Sequence, residues 1–416
     1  MFAQSTRPIR KLLMIFCLIS IISAGLSACS QGASSTSSST TNQKPITIGI
    51  SLSLSSDFKA DGQAMQQGYQ LWADAVNANG GLLGRPVQLI ILDDKSDPDQ
   101  VAKNYETLIT TDHVDLVFGP FSTLLTKPAS VVANKHGYAM VEGAGGGPSV
   151  FTRGLHNIFD VSLPVTNNLA TFALYILSLP QSFRPKTAAY VTEDDPFTQP
   201  QVDLARSMLE SGGVKTVYYH VYPADTTKDY TPFADATIQS NADIVVMGTL
   251  LQDAAAFINR FHQRHYNPKA LVATAGPDLG GDFIKAVGGI ASTEGVFVPN
   301  GWYPTANNFQ NAQMVQAYLA KYGGTIDTIN ADIAEAYSVG QVVQQAVTKI
   351  HSLDNTALIN LLHSGETFNT VQGTTQFDAT GQNKLALAYL FQWQHGQFIS
   401  VYPSSVATEN PEFPKE

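Results

Sequence analysis

Apolar positions along the chain change period repeatedly, and the changes mark out its elements. Largely apolar runs at Ile46–Leu52, Val87–Leu92, Val114–Phe118 and Tyr138–Val141 predict buried strands. Between them, Met65, Tyr69, Trp72 and Val76 predict a helix over Ala60–Asn79, and Val101, Tyr105 and Leu108 a second. Asp97-Pro98-Asp99-Gln100 supplies the second helix with an N-cap, a first-position proline and a capping-box glutamine. A third helix is expected over Ser122–His136. The alternation resumes beyond 165, with a helix ending at Leu179 and strands Thr187–Thr192, Val214–Tyr222, Ile244–Met247 and Ala270–Thr274. Helices Phe197–Ser211, around Pro232–Gln239 and Asp253–His265 separate them. Two such blocks predict an α/β protein of two doubly wound parallel-sheet lobes.

The last part of the chain departs from this rhythm. It offers a short strand at Val296–Pro299 and a long helix at Ile329–Ile350, with Ile333, Tyr337, Val343 and Val347 on one face. Runs at Leu385–Trp393 and Gln397–Tyr402 flank His395-Gly396, a hairpin signal. A stretch of about 120 residues is too short for a third block, so these pieces are expected to complete the first two.

The N-terminus reads as an address. Arg7, Arg10 and Lys11 precede an apolar run, Leu12–Leu26. At about 15 residues it falls short of the roughly 20 of a spanning helix and fits a secretory signal. It ends Leu26-Ser27-Ala28-Cys29, which resembles the lipobox of bacterial lipoproteins. The resemblance implies cleavage before Cys29, lipidation of its thiol and attachment to a membrane, which two or more acyl chains make stable. Residues 30–44 are mostly Ser, Thr, Gly, Asn and Gln and predict a disordered tether of about 20 Å.

Composition narrows the chemistry. Removing the first 28 residues takes three of 24 basic and none of 34 acidic residues, leaving a charge near −13. Phosphate backbones repel such a surface, so no nucleic-acid partner is expected. Cys17 and Cys29 are the two cysteines, which excludes a disulfide framework or a cysteine-rich zinc site from the body. No cofactor is expected. Gly143-Ala-Gly-Gly-Gly147-Pro148 is not a phosphate loop, because it is not the first strand–helix turn and no Gly-Lys-Ser/Thr follows. It follows a strand at the carboxyl edge, where α/β folds bind ligands, and is expected to touch one. His262-Gln-Arg-His265 lacks a carboxylate at ligand spacing and, with Arg260 beside it, reads as a surface basic cluster. Asp93 and Asp94 read as loop carboxylates. Neither His-Glu-x-x-His nor Gly-x-Ser-x-Gly occurs, so no enzyme is expected.

Four stretches carry a family resemblance. Ile48-Gly-Ile-Ser-Leu-Ser-Leu54, Asn77-Ala-Asn-Gly-Gly-Leu-Leu-Gly-Arg-Pro86, Asp93-Asp-Lys-Ser-Asp-Pro98 and Val117-Phe-Gly-Pro-Phe-Ser-Thr123 follow in order. Together they resemble the N-terminal lobe of leucine/isoleucine/valine-type periplasmic binding proteins, the type I solute receptors of ABC importers. The resemblance covers about 45–404. It implies two lobes joined by three crossovers that close over a ligand, extracytoplasmic work with permease subunits, and a monomer. The expected division is 1–28 signal, 29–44 lipidated cysteine and tether, 45–161 plus 298–382 first lobe, 162–297 plus 383–404 second lobe, and 405–416 tail.

By the same resemblance, an amino acid's carboxylate is held at Gly119-Pro120-Phe121-Ser122-Thr123, with Thr123 in the hydroxyl role and Ser122 beside it. Ala144, Gly145 and Gly146 match an Ala-x-Thr turn, without the threonine hydroxyl. Asp278, after Gly276-Pro277, matches the ammonium-pairing acid, one methylene shorter than the usual glutamate. Phe197 and Leu250 match two aromatic positions, the first lacking a tyrosine hydroxyl and the second not aromatic. Trp302 is expected as a further cleft wall, and Glu142 and Asp332 as added acid near the cleft. The implied ligand is an amino acid or related small polar solute; the alternatives are an amide, urea-like or aromatic solute, a sensor of the same fold that does not transport, and a secreted α/β hydrolase.

Overall fold

The computed structural model describes residues 44–415; the signal, Cys29 and nearly all of the tether lie outside the described residues. The first sheet opens with β1 (Ile46–Leu52), whose Ile46, Ile48, Ile50 and Leu52 enter one core. The chain continues through α1 (Lys59–Ala78), β2 (Val87–Asp93), α2 (Pro98–Thr110), β3 (Leu116–Phe118) and α3 (Thr123–Lys135). It closes with β4 (Met140–Glu142), the short α4 (Pro148–Phe151) and β5 (Ile158–Asp160). All neighbours run parallel, in the order β2-β1-β3-β4-β5. Phe118, Val141 and Phe159 face one core and Val117, Met140 and Ile158 the other, which is why these strands read as unbroken apolar runs.

The second lobe repeats the scheme: α5 (Asn168–Ser178), β6 (Thr187–Glu193), α6 (Thr198–Ser211), β7 (Lys215–Tyr222) and α7 (Thr231–Gln239). Then come β8 (Ile244–Gly248), α8 (Leu251–Gln263), β9 (Ala270–Ala273), α9 (Gly281–Ala286) and β10 (Val296–Asn300). The chain returns to the first lobe for α10 (Asn311–Tyr322), α11 (Asp332–Ile350), α12 (Asn355–Leu362) and the ribbon β11 (Phe368–Thr370) and β12 (Gly373–Thr375). A last passage delivers β13 (Tyr389–Gln394) and β14 (Gln397–Tyr402) to the second sheet, ordered β14-β13-β10-β9-β8-β6-β7. The three passages between sheets follow β5, β10 and β12.

The second sheet is mixed, not wholly parallel, because β13 runs antiparallel to both β10 and β14. For β13 and β14 the cause is the two-residue turn at His395 and Gly396, both at positive φ, which only an antiparallel pair accommodates. The strand expected from Leu385 starts at Tyr389, and Leu387 is 62% exposed. Helix α11 starts at Asp332 rather than 329, where Asn330 Oδ1 accepts the Asp332 N–H at 2.9 Å. Helices α1 and α11 pack closely through two glycines. A Cβ on Gly68 would strike the Ile333 carbonyl, and one on Gly340 the Trp72 ring.

Arg260 and Arg264, flanking the paired histidines, both reach Asp235 of α7, at 2.7 and 3.1 Å. Asp93 and Asp94 brace the turn after β2, accepting from Leu54, Ser53 and Ser96. Among the described residues no helix is long and apolar enough to cross a membrane.

Candidate ligand-binding cleft

The carboxyl ends of the two sheets face each other across one cavity. From the first lobe, Asp61 follows β1, Ser122 follows β3, Gly143, Ala144 and Gly146 follow β4, and Ser162 follows β5. From the second, Asp195 and Phe197 follow β6, Leu250 follows β8, and Thr274 and Asp278 follow β9. Asp332 and Glu335, in the first turn of α11, close the floor. The space open to the centre of a water-sized sphere is about 80 Å³. At roughly 10–15 Å³ per water, that is room for a small solute or about five to eight waters.

Five carboxylates line the cavity (Asp61, Asp195, Asp278, Asp332 and Glu335) and no Lys, Arg or His does. None of the five is in an ion pair among the described residues. Asp278 is held in place by the Gly276 N–H at 2.9 Å and the Asn300 Nδ2 at 3.1 Å. Burial pushes its carboxyl up to about 7. Asp61 is pushed up to about 7 by burial and, further, by the charges of Asp278 and Asp282. Asp332 and Glu335 lie well above the ordinary carboxylate range, first through burial and then through neighbouring acids. Asp332 Oδ2 is buried without a hydrogen-bond partner, and the charges nearest it are those of other acids, Asp61 and Glu335 first.

Donors gather on the first lobe. Ser122, at φ 70°, caps α3 by accepting the Leu125 N–H at 3.3 Å, which leaves its own O–H free to donate. The Gly146 N–H makes no hydrogen bond among the described residues. Beneath the glycine run, Glu142 Oε2 accepts the N–H groups of Ala144 (2.9 Å) and Gly145. Burial and the nearby Asp160 raise Glu142 well above its usual range.

Of the residues expected in the site, Ser122, Ala144, Gly146, Phe197, Leu250 and Asp278 line the cavity, and Asp332 joins them. Thr123, Gly145 and Trp302 do not. Thr123 is fully buried one residue into the helix, and its Oγ1 accepts the Gly147 N–H at 3.1 Å. Gly145 gives its N–H to Glu142 and packs on Thr126. Trp302 turns into the first lobe's core, its Nε1–H donating to Asn311 Oδ1 at 2.8 Å, so it is no cleft wall. The sequence reading missed Asp61, Asp195 and Glu335. Their common signal is an acid at or just before the start of a helix, which for Asp61 and Asp195 leaves a strand's carboxyl edge; taken singly it reads as a helix-end charge.

A ligand-sized cleft at the carboxyl ends of two sheets joined by three crossovers defines a two-lobed solute receptor. The periplasmic binding protein family model matches residues 45–397. The chain therefore belongs to that family, an extracytoplasmic group of substrate-binding proteins for transport, not enzymes. It is 25% identical over 358 residues to Leu/Ile/Val-binding protein homolog 3 of Brucella melitensis, covering 86% of this chain and 93% of the relative. To Leu/Ile/Val-binding protein BraC3 of Rhizobium johnstonii it is 23% identical, covering 85% and 93%. Among solved structures, the branched-chain amino acid transporter substrate-binding protein LivJ of Streptococcus pneumoniae, in complex with isoleucine, superposes with a TM-score of 0.74 at 21% identity, over 85% of this chain and 98% of that one. A solute-binding protein of an ABC transporter from Rhodopseudomonas palustris, in complex with 3,4-dihydroxybenzoic acid, gives 0.75 at 16% identity, over 89% and 98%.

Proposed function

We propose that the protein is the monomeric solute receptor of an ABC importer, anchored to the membrane by lipid on Cys29. In this reading it binds an amino acid or a related small polar solute with an ammonium group and delivers it to permease subunits. One observation carries the ligand reading: hydrogen-bond donors of the first lobe and Asp278 of the second line the same cavity. Ser122 and the Gly146 N–H offer donors to a carboxylate on one wall, beside the positive end of α3. Asp278 offers a carboxylate to an ammonium on the other, already oriented by Gly276 and Asn300. The names of the relatives and the isoleucine held by one structural neighbour support the same class. Five carboxylates disfavour a wholly anionic aromatic solute such as that of the second neighbour.

Native mass spectrometry of the purified protein, followed by calorimetry on the solute released, tests this. Asp278→Asn keeps shape and removes charge; Ser122→Ala removes the hydroxyl donor. Loss of one charge-assisted hydrogen bond costs about 1.5–3 kcal/mol, so each should weaken an amino-acid ligand about tenfold to a hundredfold. Parental affinity in both variants, with the fold intact by circular dichroism, would show that the ligand is held elsewhere.

A further inference from the structure

The acid in this cleft exceeds what one ammonium needs. Asp278, with its two fixed donors, is sufficient for an α-ammonium. Asp61, Asp332 and Glu335 then remain together on the first-lobe wall, brought there by the first turns of α1 and α11. We propose that the cleft selects a solute with two protonated nitrogens, the second seated among Asp61, Asp332 and Glu335.

This rests on the reading that the cavity is the ligand site, and three observations carry it. First, Asp332 is 6% exposed, and its Oδ2 has no donor. A buried polar atom left in this way is costly unless something fills the role. Second, its neighbours on the same cavity wall, Asp61 and Glu335, are acids too. Acceptors gathered in this way need a proton or a cation between them, and an ammonium brings three donors to one point. Burial and the neighbouring acids make each of these groups a weaker acid, so protons stand in for that cation when the cleft is empty. Third, the approach has the same sign. Asp61 and Asp195 also border a wider space of about 590 Å³, measured in the same way, whose lining includes Asp57, Asp194 and Asp225, with Lys228 its one basic side chain. Such a mouth concentrates cations and repels anions. It also gives a solute longer than the inner cavity somewhere to extend.

A second nitrogen belongs equally to a dibasic amino acid or to a simple diamine, and matched pairs distinguish these. Calorimetry at mildly alkaline pH would compare L-lysine with L-norleucine, and 1,4-diaminobutane with 1-aminobutane, each pair differing by one amine. The expected result is at least a tenfold preference for the dication in at least one pair. That preference should shrink at least fivefold in Asp332→Asn and, independently, in Glu335→Gln, both checked for folding by circular dichroism. Norleucine binding as well as lysine, with the amines also equal, would overturn the second charge while leaving an amino-acid receptor standing. A preference unchanged in both variants would overturn the seat. Failure of all four probes to bind would overturn this inference, and the solute released in native mass spectrometry would decide the amino-acid reading separately.

Discussion

Acid should stabilise the ligand-free protein, opposite to the behaviour of a protein held by surface ion pairs. Asp61, Asp278 and Asp160 are each moved from 3.8 to about 7, mainly by burial. In the unfolded chain such groups titrate near 3.9. Between these limits the folded state binds more protons than the unfolded one, so stability is fullest below about pH 4 and is lost as pH rises through about 7. A move of that size corresponds to about 4 kcal/mol per group at most. Asp61, Asp278 and Asp332 repel one another and share protons, so the contributions do not add. Their combined effect is therefore smaller than the sum of the single-group values. Asp235, held below its ordinary value by Arg260, works in the other direction, but below about pH 4. Urea midpoints of the ligand-free protein at about pH 5 and about pH 7.5 measure the effect, the midpoint being higher at the lower pH. The double variant Asp61→Asn, Asp278→Asn should lose at least about 1 kcal/mol of that difference. It should not lose all of it, since buried Asp253, at about 7, and Glu142 titrate in the same direction. Equal midpoints at the two pH values, or a double variant with the parental difference, would refute the reasoning.

Three further outcomes are expected. Trp302→Phe strands the Asn311 oxygen and should lower stability by about 1–3 kcal/mol, yet leave ligand affinity within about twofold, because the ring packs in the core rather than the cleft; a tenfold loss of affinity would return the side chain to the site. Across the cleft, Gln252 Nε2 meets the Asp57 carbonyl at 2.9 Å and Asn330 Nδ2 meets Asp282 at 3.4 Å; small-angle scattering should show a smaller radius of gyration with ligand than without, and an identical profile would exclude hinge closure. Cys29→Ser should move the protein from the membrane to the soluble fraction in a folded state, and retention after a high-salt wash would contradict lipid anchoring.

Much of the fold was legible in the chain because it rests on local physics. Runs such as Ile244–Met247 are apolar on both faces, so they announce a covered sheet without reference to any partner. Asp97 and Pro98 start α2, and His395-Gly396 closes the β13–β14 hairpin, through torsions and donors a few residues away. Three-residue strands such as β5 lack the length to show a period. The cleft was legible only where one loop decides it. The sequence placed a hydroxyl at the start of α3, but the positive φ at Ser122 selected that residue for the cavity and sent Thr123 inward. The resemblance pointed to Asp278, and Asp332 was expected near the cleft, but Asp61 and Glu335 look like unrelated helix-end acids along the chain. The crossovers bring them to one cavity without a basic side chain. Charge–charge energy depends on distance and burial after folding, neither of which a linear spacing contains, so only the tertiary structure could make an acid site of them.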